Sequence, residues 1–146
     1  MTTKELLKQV LEQWGFPVLE EKEHSLLFRY QMNYIQLNAM DGNGDNRSVA
    51  ATLSGIFTAE DEQELRLGLK TCNDLNWHLL QVKLYIDGDN DLIVASEFFY
   101  KTEEDMEHLL IMSLNALITG KKQFIKKYKE YVEEEKLLSE LNEEEE

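Results

Sequence analysis

The chain has 146 residues and one cysteine, and 29 acidic against 15 basic residues leave it a net charge of −14. That length fits one domain, which at this size buries roughly 68–70% of its unfolded surface, and a single cysteine excludes an internal disulfide framework. A hydrophobic fraction of 42% argues against disorder over most of the chain; with no apolar h-region behind Met1–Glu5 and no apolar run of about 18 residues, a soluble cytoplasmic protein without a membrane segment is expected.

Thr2 followed by Glu5 has capping-box spacing, and Leu6, Leu7, Val10, Leu11 and Trp14 recur at helical spacing, so a first helix is predicted over 3–14. Gly15 and Pro17, the one proline, end it. Period two follows. Val18 to Lys22 reads as a short strand and Glu23-His24-Ser25 as a turn. Leu26, Phe28, Tyr30 and Met32 then share one side, with Leu27, Arg29 and Gln31 on the other. Past a turn near Met32-Asn33, Tyr34, Ile35 and Leu37 form a strand running to the loop 41–46. Val49 to Phe57 is β-branched, small or aromatic and reads as another strand, making three or four in this half.

Thr58 and Asp61 are expected to open a second helix, with acids at 60–62 favouring the positive end of its dipole. Leu65, Leu69, Cys72 and Leu75 make its face, and Gly68 weakens it by about 1 kcal/mol relative to Ala. Leu80, Val82, Leu84 and Ile86 alternate with Leu79, Gln81, Lys83 and Tyr85. The turn 87–91 and a return strand from Leu92 to Tyr100 complete a hairpin. Thr102 and Asp105 open the last helix, whose face is Met106, Leu109, Leu110, Leu114, Leu117 and Ile118. Gly120 marks a bend or brief stop. The stripe resumes with Phe124, Ile125, Tyr128, Tyr131 and Val132 and fades through Leu137, Leu138 and Leu141.

The order α-β-β-β(-β)-α-β-β-α predicts an α+β fold, an antiparallel sheet packed against helices. Residues 1–132 form its single domain. Residues 133–146 hold eight Glu and one Lys, half of the net charge. This acidic C-terminal tail is expected to fray unless a partner binds Leu137, Leu138 and Leu141. Clustered Glu opposes the helix dipole there, and Lys126–Glu130 and Lys129–Glu133 are ion pairs in the weaker orientation.

Little in the sequence points to chemistry. The loops 41–46 and 87–91 look like the opening of an EF-hand, which needs Gly at position six and Glu at twelve. Counted from Asp41 these are Asn46 and Thr52, and from Asp87 they are Leu92 and Phe98. Both loops read as solvated turns, with weak cation binding left open. His24, His78 and His108 do not pair with one another or with Cys72 at zinc-ligand spacing. Cys72, on an apolar helix face, reads as a small hydrophobe. There is neither a phosphate-binding glycine loop nor a GxSxG elbow. Glu97 reads as a surface-facing strand residue. No catalytic, cofactor or metal site is therefore expected.

The segment 121–129, KKQFIKKYK, suggests a nucleic-acid-binding helix. The glutamates after it neutralise the field, so its lysines read better as a solvated face. The candidate interface is the apolar stripe Phe124, Ile125, Tyr128, Tyr131 and Val132. It either packs back on the sheet or meets another chain.

Cys72-Asn73-Asp74-Leu75-Asn76, then Asp87-Gly88-Asp89, Leu92-Ile93-Val94-Ala95 and Thr102-Glu103-Glu104 at the mouth of a long helix resemble the YbjN-type domain, also called the bacterial sensory transduction regulators. The resemblance spans residues 3 to about 126. It implies a fold like that of type III secretion chaperones, α-β-β-β-α-β-β-α and often dimeric. Those chaperones are small, acidic, cytoplasmic proteins that hold partly unfolded clients against apolar patches. The chain departs from the pattern in its longer, charged last helix and in a fourth strand before the second helix, if one is present. The resemblance brings no functional residues to carry over, and fold likeness does not transfer function. The expectation is a non-catalytic protein-binding or chaperone-like regulatory module, a homodimer with a protein partner or client and no nucleic acid, membrane or cofactor. An enzyme of unrecognised type and nucleic-acid binding through 121–129 are the alternatives.

Overall fold

The structure, a computed structural model, describes residues 1–43 and 46–145. The elements in chain order are α1 (Thr3–Gln13), β1 (Val18–Glu21), β2 (Ser25–Tyr30), β3 (Asn33–Asp41), β4 (Arg47–Leu53), α2 (Glu62–His78), β5 (Lys83–Ile86), β6 (Leu92–Tyr100) and α3 (Glu103–Glu145). The first half therefore holds four strands. All pairings are antiparallel and the sheet order is β1-β2-β3-β4-β6-β5.

Strand alternation places one residue in two on the core side. Leu26 pairs with Leu37, Leu37 with Ala51, and Ala51 with Ser96. Phe28, Ile35, Leu53 and Val94 form the next row. All of these are buried. The helices cover that face: α1 lies on β2 to β4, α3 on β4 and β6, and α2 against β5 and α3. Among the described residues, no helix covers the other face of the sheet.

α1 begins with the expected capping box: Glu5 N–H donates to Thr2 Oγ1 at 3.2 Å and Thr2 N–H to Glu5 Oε2 at 2.9 Å. Gly15 adopts φ +81° just past its end, the left-handed exit that glycine permits. Asp41 closes β3 by accepting from Thr3 N–H and Thr3 Oγ1, which ties α1 to the sheet. Gly44 and Asp45, inside the 41–46 loop, lie outside the described residues.

Several expectations shift. Met32 is not a strand residue. Gln31 (φ 47°) and Met32 (φ 66°) form a two-residue hairpin turn, and the Met32 side chain is exposed. β4 stops at Leu53, because Gly55 (φ 79°) turns the chain and sends Phe57 under α3 instead of along the sheet. α2 is capped by Asp61, which accepts from Glu64 N–H at 2.8 Å, while Thr58 bonds to Asp91. Its buried face is Leu67, Gly68, Thr71, Cys72 and Leu75, whereas Leu69 is exposed. Gly68 is the contact point: a Cβ there would stand 2.8 Å from Ile86 Cδ1 and 3.1 Å from Phe57 Cε1. β5 starts only at Lys83, since Gln81 (φ 63°) breaks the apparent alternation and swings Leu80 outward.

α3 does not stop at Gly120. That glycine lets the helix cross the sheet closely, since a Cβ would lie 2.9 Å from Val94 Cγ1 and 3.2 Å from Val82 Cγ2. The segment expected to fray, from Glu133 on, is helical through Glu145. Beyond Gly120 the sequence has no glycine or proline and is rich in Glu, Lys and Leu, all good helix formers.

Candidate protein-interaction surface

The stripe on α3 divides into two. Phe124 is only 1% exposed, its ring 5.2 Å from Phe57 and stacked on Tyr128 at 5.7 Å. Tyr128 lies 4.7 Å from Phe57. Burial, then the nearby Glu64 and Asp61 carboxylates, push its phenol pKa up. The Tyr131 hydroxyl donates to Asp74, and Lys70 and Lys127 sit over its ring at 4.2 and 5.1 Å. Arg66 and Glu135 pair at 2.7 Å. Residues 124, 128, 131 and 135 follow the 4-3-4 spacing of one helix face, and that face fastens α3 to α2 and Phe57. Of the two alternatives the sequence leaves open, Phe124, Tyr128 and Tyr131 thus pack within their own chain, on α2 and Phe57. Ile125 and Val132 stand on the adjoining face and are exposed. Past Glu135 every described residue is exposed, Leu137, Leu138 and Leu141 included.

Two apolar areas escape a reading by periodicity. One lies where α2 ends. Trp77, in its last turn, is 84% exposed, and Leu80 in the following loop is 87% exposed. A groove of about 320 Å3 runs between that loop and α3, lined by Leu80, Val82, Met112, Ala116 and Thr119. The other is the helix-free sheet face. Met40, Ser48 and Phe99 stand side by side across β3, β4 and β6. Met40 is 66% and Phe99 73% exposed, and a hollow of about 330 Å3 opens beside them. Lys83 and Glu97 pair across this face at 2.7 Å, so Glu97 is the surface residue expected. Leu80 was hidden by alternation that the Gln81 turn interrupts. Met40 and Phe99 sit at outward strand positions that sequence alone assigns to solvent.

The residues with reactive side chains have structural partners. Cys72 is buried, and burial pushes its thiol pKa up to about 11, which keeps it protonated and poorly nucleophilic. Asp87, Asp89 and Asp91 cluster within 4.8 Å. Asp87 Oδ1 accepts from the N–H of Asp89 and of Asp91, and Asp91 accepts from Thr58, so these carboxylates shape the hairpin turn. His24, His78 and His108 lie in the β1–β2 turn, the end of α2 and the start of α3. In the lysine-rich segment, Lys121 donates to Asn33 Oδ1 at 2.5 Å and Lys127 pairs with Glu130 at 3.7 Å.

The motif at 72–76 is architectural. Cys72 and Leu75 enter the core and Asp74 receives Tyr131. Asn76 is the most informative: its Nδ2 donates to Leu84 O and its Oδ1 accepts from Leu84 N–H, both at 2.8 Å. Its carboxamide thus stands where a neighbouring strand would pair with β5.

No helix among the described residues is long and apolar enough to cross a membrane. No family model matches the sequence, and no curated protein does. Solved structures do resemble it. YbjN from E. coli, a candidate transcription regulator, superposes with a TM-score of 0.59 at 15% identity, over 84% of this chain and 89% of that one. An uncharacterized protein from Methanothermobacter thermautotrophicus gives 0.57 at 15% identity, over 88% and 97%. A chain of the heterodimeric ExoU–SpcU complex of the Pseudomonas aeruginosa type III secretion system gives 0.53 at 15% identity, over 83% and 96%. The fold is thus that of the YbjN-type domain, shared with the type III secretion chaperones.

Proposed function

We propose that this protein is a cytoplasmic, non-catalytic binding module, regulatory or chaperone-like, that works as a homodimer and holds a protein client on apolar surface. The observation that supports this reading is the presence of two separate exposed apolar surfaces, distal α3 and the helix-free sheet face. A module that joins its own copy and also holds a client needs two such surfaces, and exposed patches of this kind mark interaction sites. Phe124, Tyr128 and Tyr131 fix the direction of α3. Ile125 and Val132 on one face of α3, and Leu137, Leu138 and Leu141 further along and turned to other faces, offer the contact surface. The sheet face around Met40 and Phe99 holds the client.

Among the structural neighbours, one is a candidate transcription regulator and another is part of a heterodimeric complex, which fits a binding role. The test is retention from cell lysate on the immobilised full chain, beside the exposed-surface variant Met40→Ser/Phe99→Ser. A client held in stoichiometric amount by the natural chain and reduced about tenfold by the variant is the expected result, since a few apolar residues carry most binding energy. Recovery of the chain alone in both cases would reject a client-binding role.

A further inference from the structure

We infer that the acidic end of α3 docks in the groove between α3 and the 79–82 loop of a second copy, reciprocally, so that two α3 helices lie antiparallel. This rests on the homodimer reading above and names its interface.

The two surfaces complement each other in charge. The groove belongs to the acid-free part of a very acidic chain: residues 75–86 and 108–129 contain no Asp or Glu but six lysines. Its walls are apolar, with Leu80 almost fully exposed and Met112 and Ala116 on the α3 side. The end of α3 is the opposite. Residues 133–146 carry eight Glu around Leu137, Leu138 and Leu141, and the described ones touch nothing in their own chain past Glu135. An acidic helix with exposed leucines fits an apolar groove on an acid-free stretch of α3 that runs on to the exposed Lys122 and Lys126. Parallel helices would set the glutamates of both ends against each other, whereas antiparallel ones place Glu133 beside the second copy's Lys122 and the glutamates beyond it along the acid-free stretch of its α3.

Helical geometry supplies the register. Met112 and Ala116 share one face of α3 with Leu137 and Leu141, which lie about seven and eight turns further on. In an antiparallel pair, Met112 meets the second copy's Leu141 when Ala116 meets its Leu137. That register puts Lys122 against the second copy's Glu133, and Lys126 within a turn of its Glu130. Groove and end lie about 38 Å apart along each helix. Both grooves are therefore filled at once, giving a closed twofold contact.

Sedimentation velocity on the full chain, from about 5 to 200 μM, measures the self-association constant. Lys122→Glu and Glu133→Lys, both at exposed positions, are each expected to weaken the dimer about tenfold, and the double swap to restore it to within about threefold. Glu133→Lys is discriminating, because it makes the chain less acidic and would strengthen an association limited by overall repulsion. A chain monomeric throughout the range, single variants with the natural constant, or a double variant no better than the singles would each overturn the proposal. A monomer that still retains a client leaves the client-binding reading standing. A dimer indifferent to the swaps leaves the homodimer and removes this interface.

Discussion

The two parts of α3 are written in nearly the same residues and live under different physics. Up to Glu135 its turns meet the sheet, Phe57 or α2, and Met106, Leu110, Leu114, Leu117 and Phe124 are buried. From Lys136 to Glu145 the helix meets solvent on all sides. The first part is helical because packing rewards that shape. The second is helical on propensity alone, which for ten residues in water is marginal. A leucine at helical spacing thus reports conformation, while its burial depends on what the rest of the chain places opposite it.

The sharpest way to break this contrast is to truncate one apolar side chain in each part. Phe124→Ala is expected to cost about 3–5 kcal/mol in denaturant unfolding, since the ring is enclosed, tilted against Phe57 and stacked on Tyr128. Leu138→Ala should stay within about 0.5 kcal/mol when measured on dilute monomer. Comparable losses at both positions would mean that the end of α3 packs on its own domain after all.

Asn76→Ala comes next, with an expected cost of about 1–3 kcal/mol. Both polar groups of Leu84 lose their partner at once, and β5 becomes an open edge. Concentration-dependent aggregation of the variant, followed by light scattering, should accompany the loss. An Asn76→Ala protein as stable and monodisperse as the natural one would refute the edge-closing role.

The smallest free energy is the most informative. In dilute solution, amides past Glu135 are expected to exchange with an opening free energy of about zero, against nearly the full unfolding free energy around Leu110 to Leu117. Raising the protein concentration should slow exchange in the end segment if it docks on a second copy. Slow exchange through Leu141 at the lowest concentration would contradict both the independence of this segment and the fraying expected from its charges.

Much of the fold was legible because it is written in local chemistry. Thr2 and Glu5 announce α1, Gly15 and Pro17 its end, and Asp87-Gly88 the β5–β6 hairpin. Some errors come from left-handed residues such as Met32 and Gln81, and others concern what stands opposite a residue. Leu69 fits the α2 pattern as well as Leu67 does, but Gly68 is where the helix touches Ile86 and Phe57, and this rotates the buried face. Phe57 looked like strand because nothing in its own segment shows that Phe124 and Tyr128 await it. The interaction surface was legible only in part. The exposed leucines of α3 follow from the helical period, whereas Trp77, Leu80, Met40 and Phe99 are set by a left-handed turn and by a sheet face that no helix covers.

Asn76 has a wider consequence. With its carboxamide covering Leu84 at one border of the sheet, the remaining border is β1, four residues long, irregular where it joins β2, and ending in Glu20 and Glu21, which pair with lysines. A sheet finished in this way has the Leu84 backbone groups already taken on the β5 side and a charged, irregular strand on the other. Backbone pairing with a further extended chain is hindered at both borders. Strand addition would accept almost any extended peptide, so a client held as proposed above would be recognised through side chains, residue by residue.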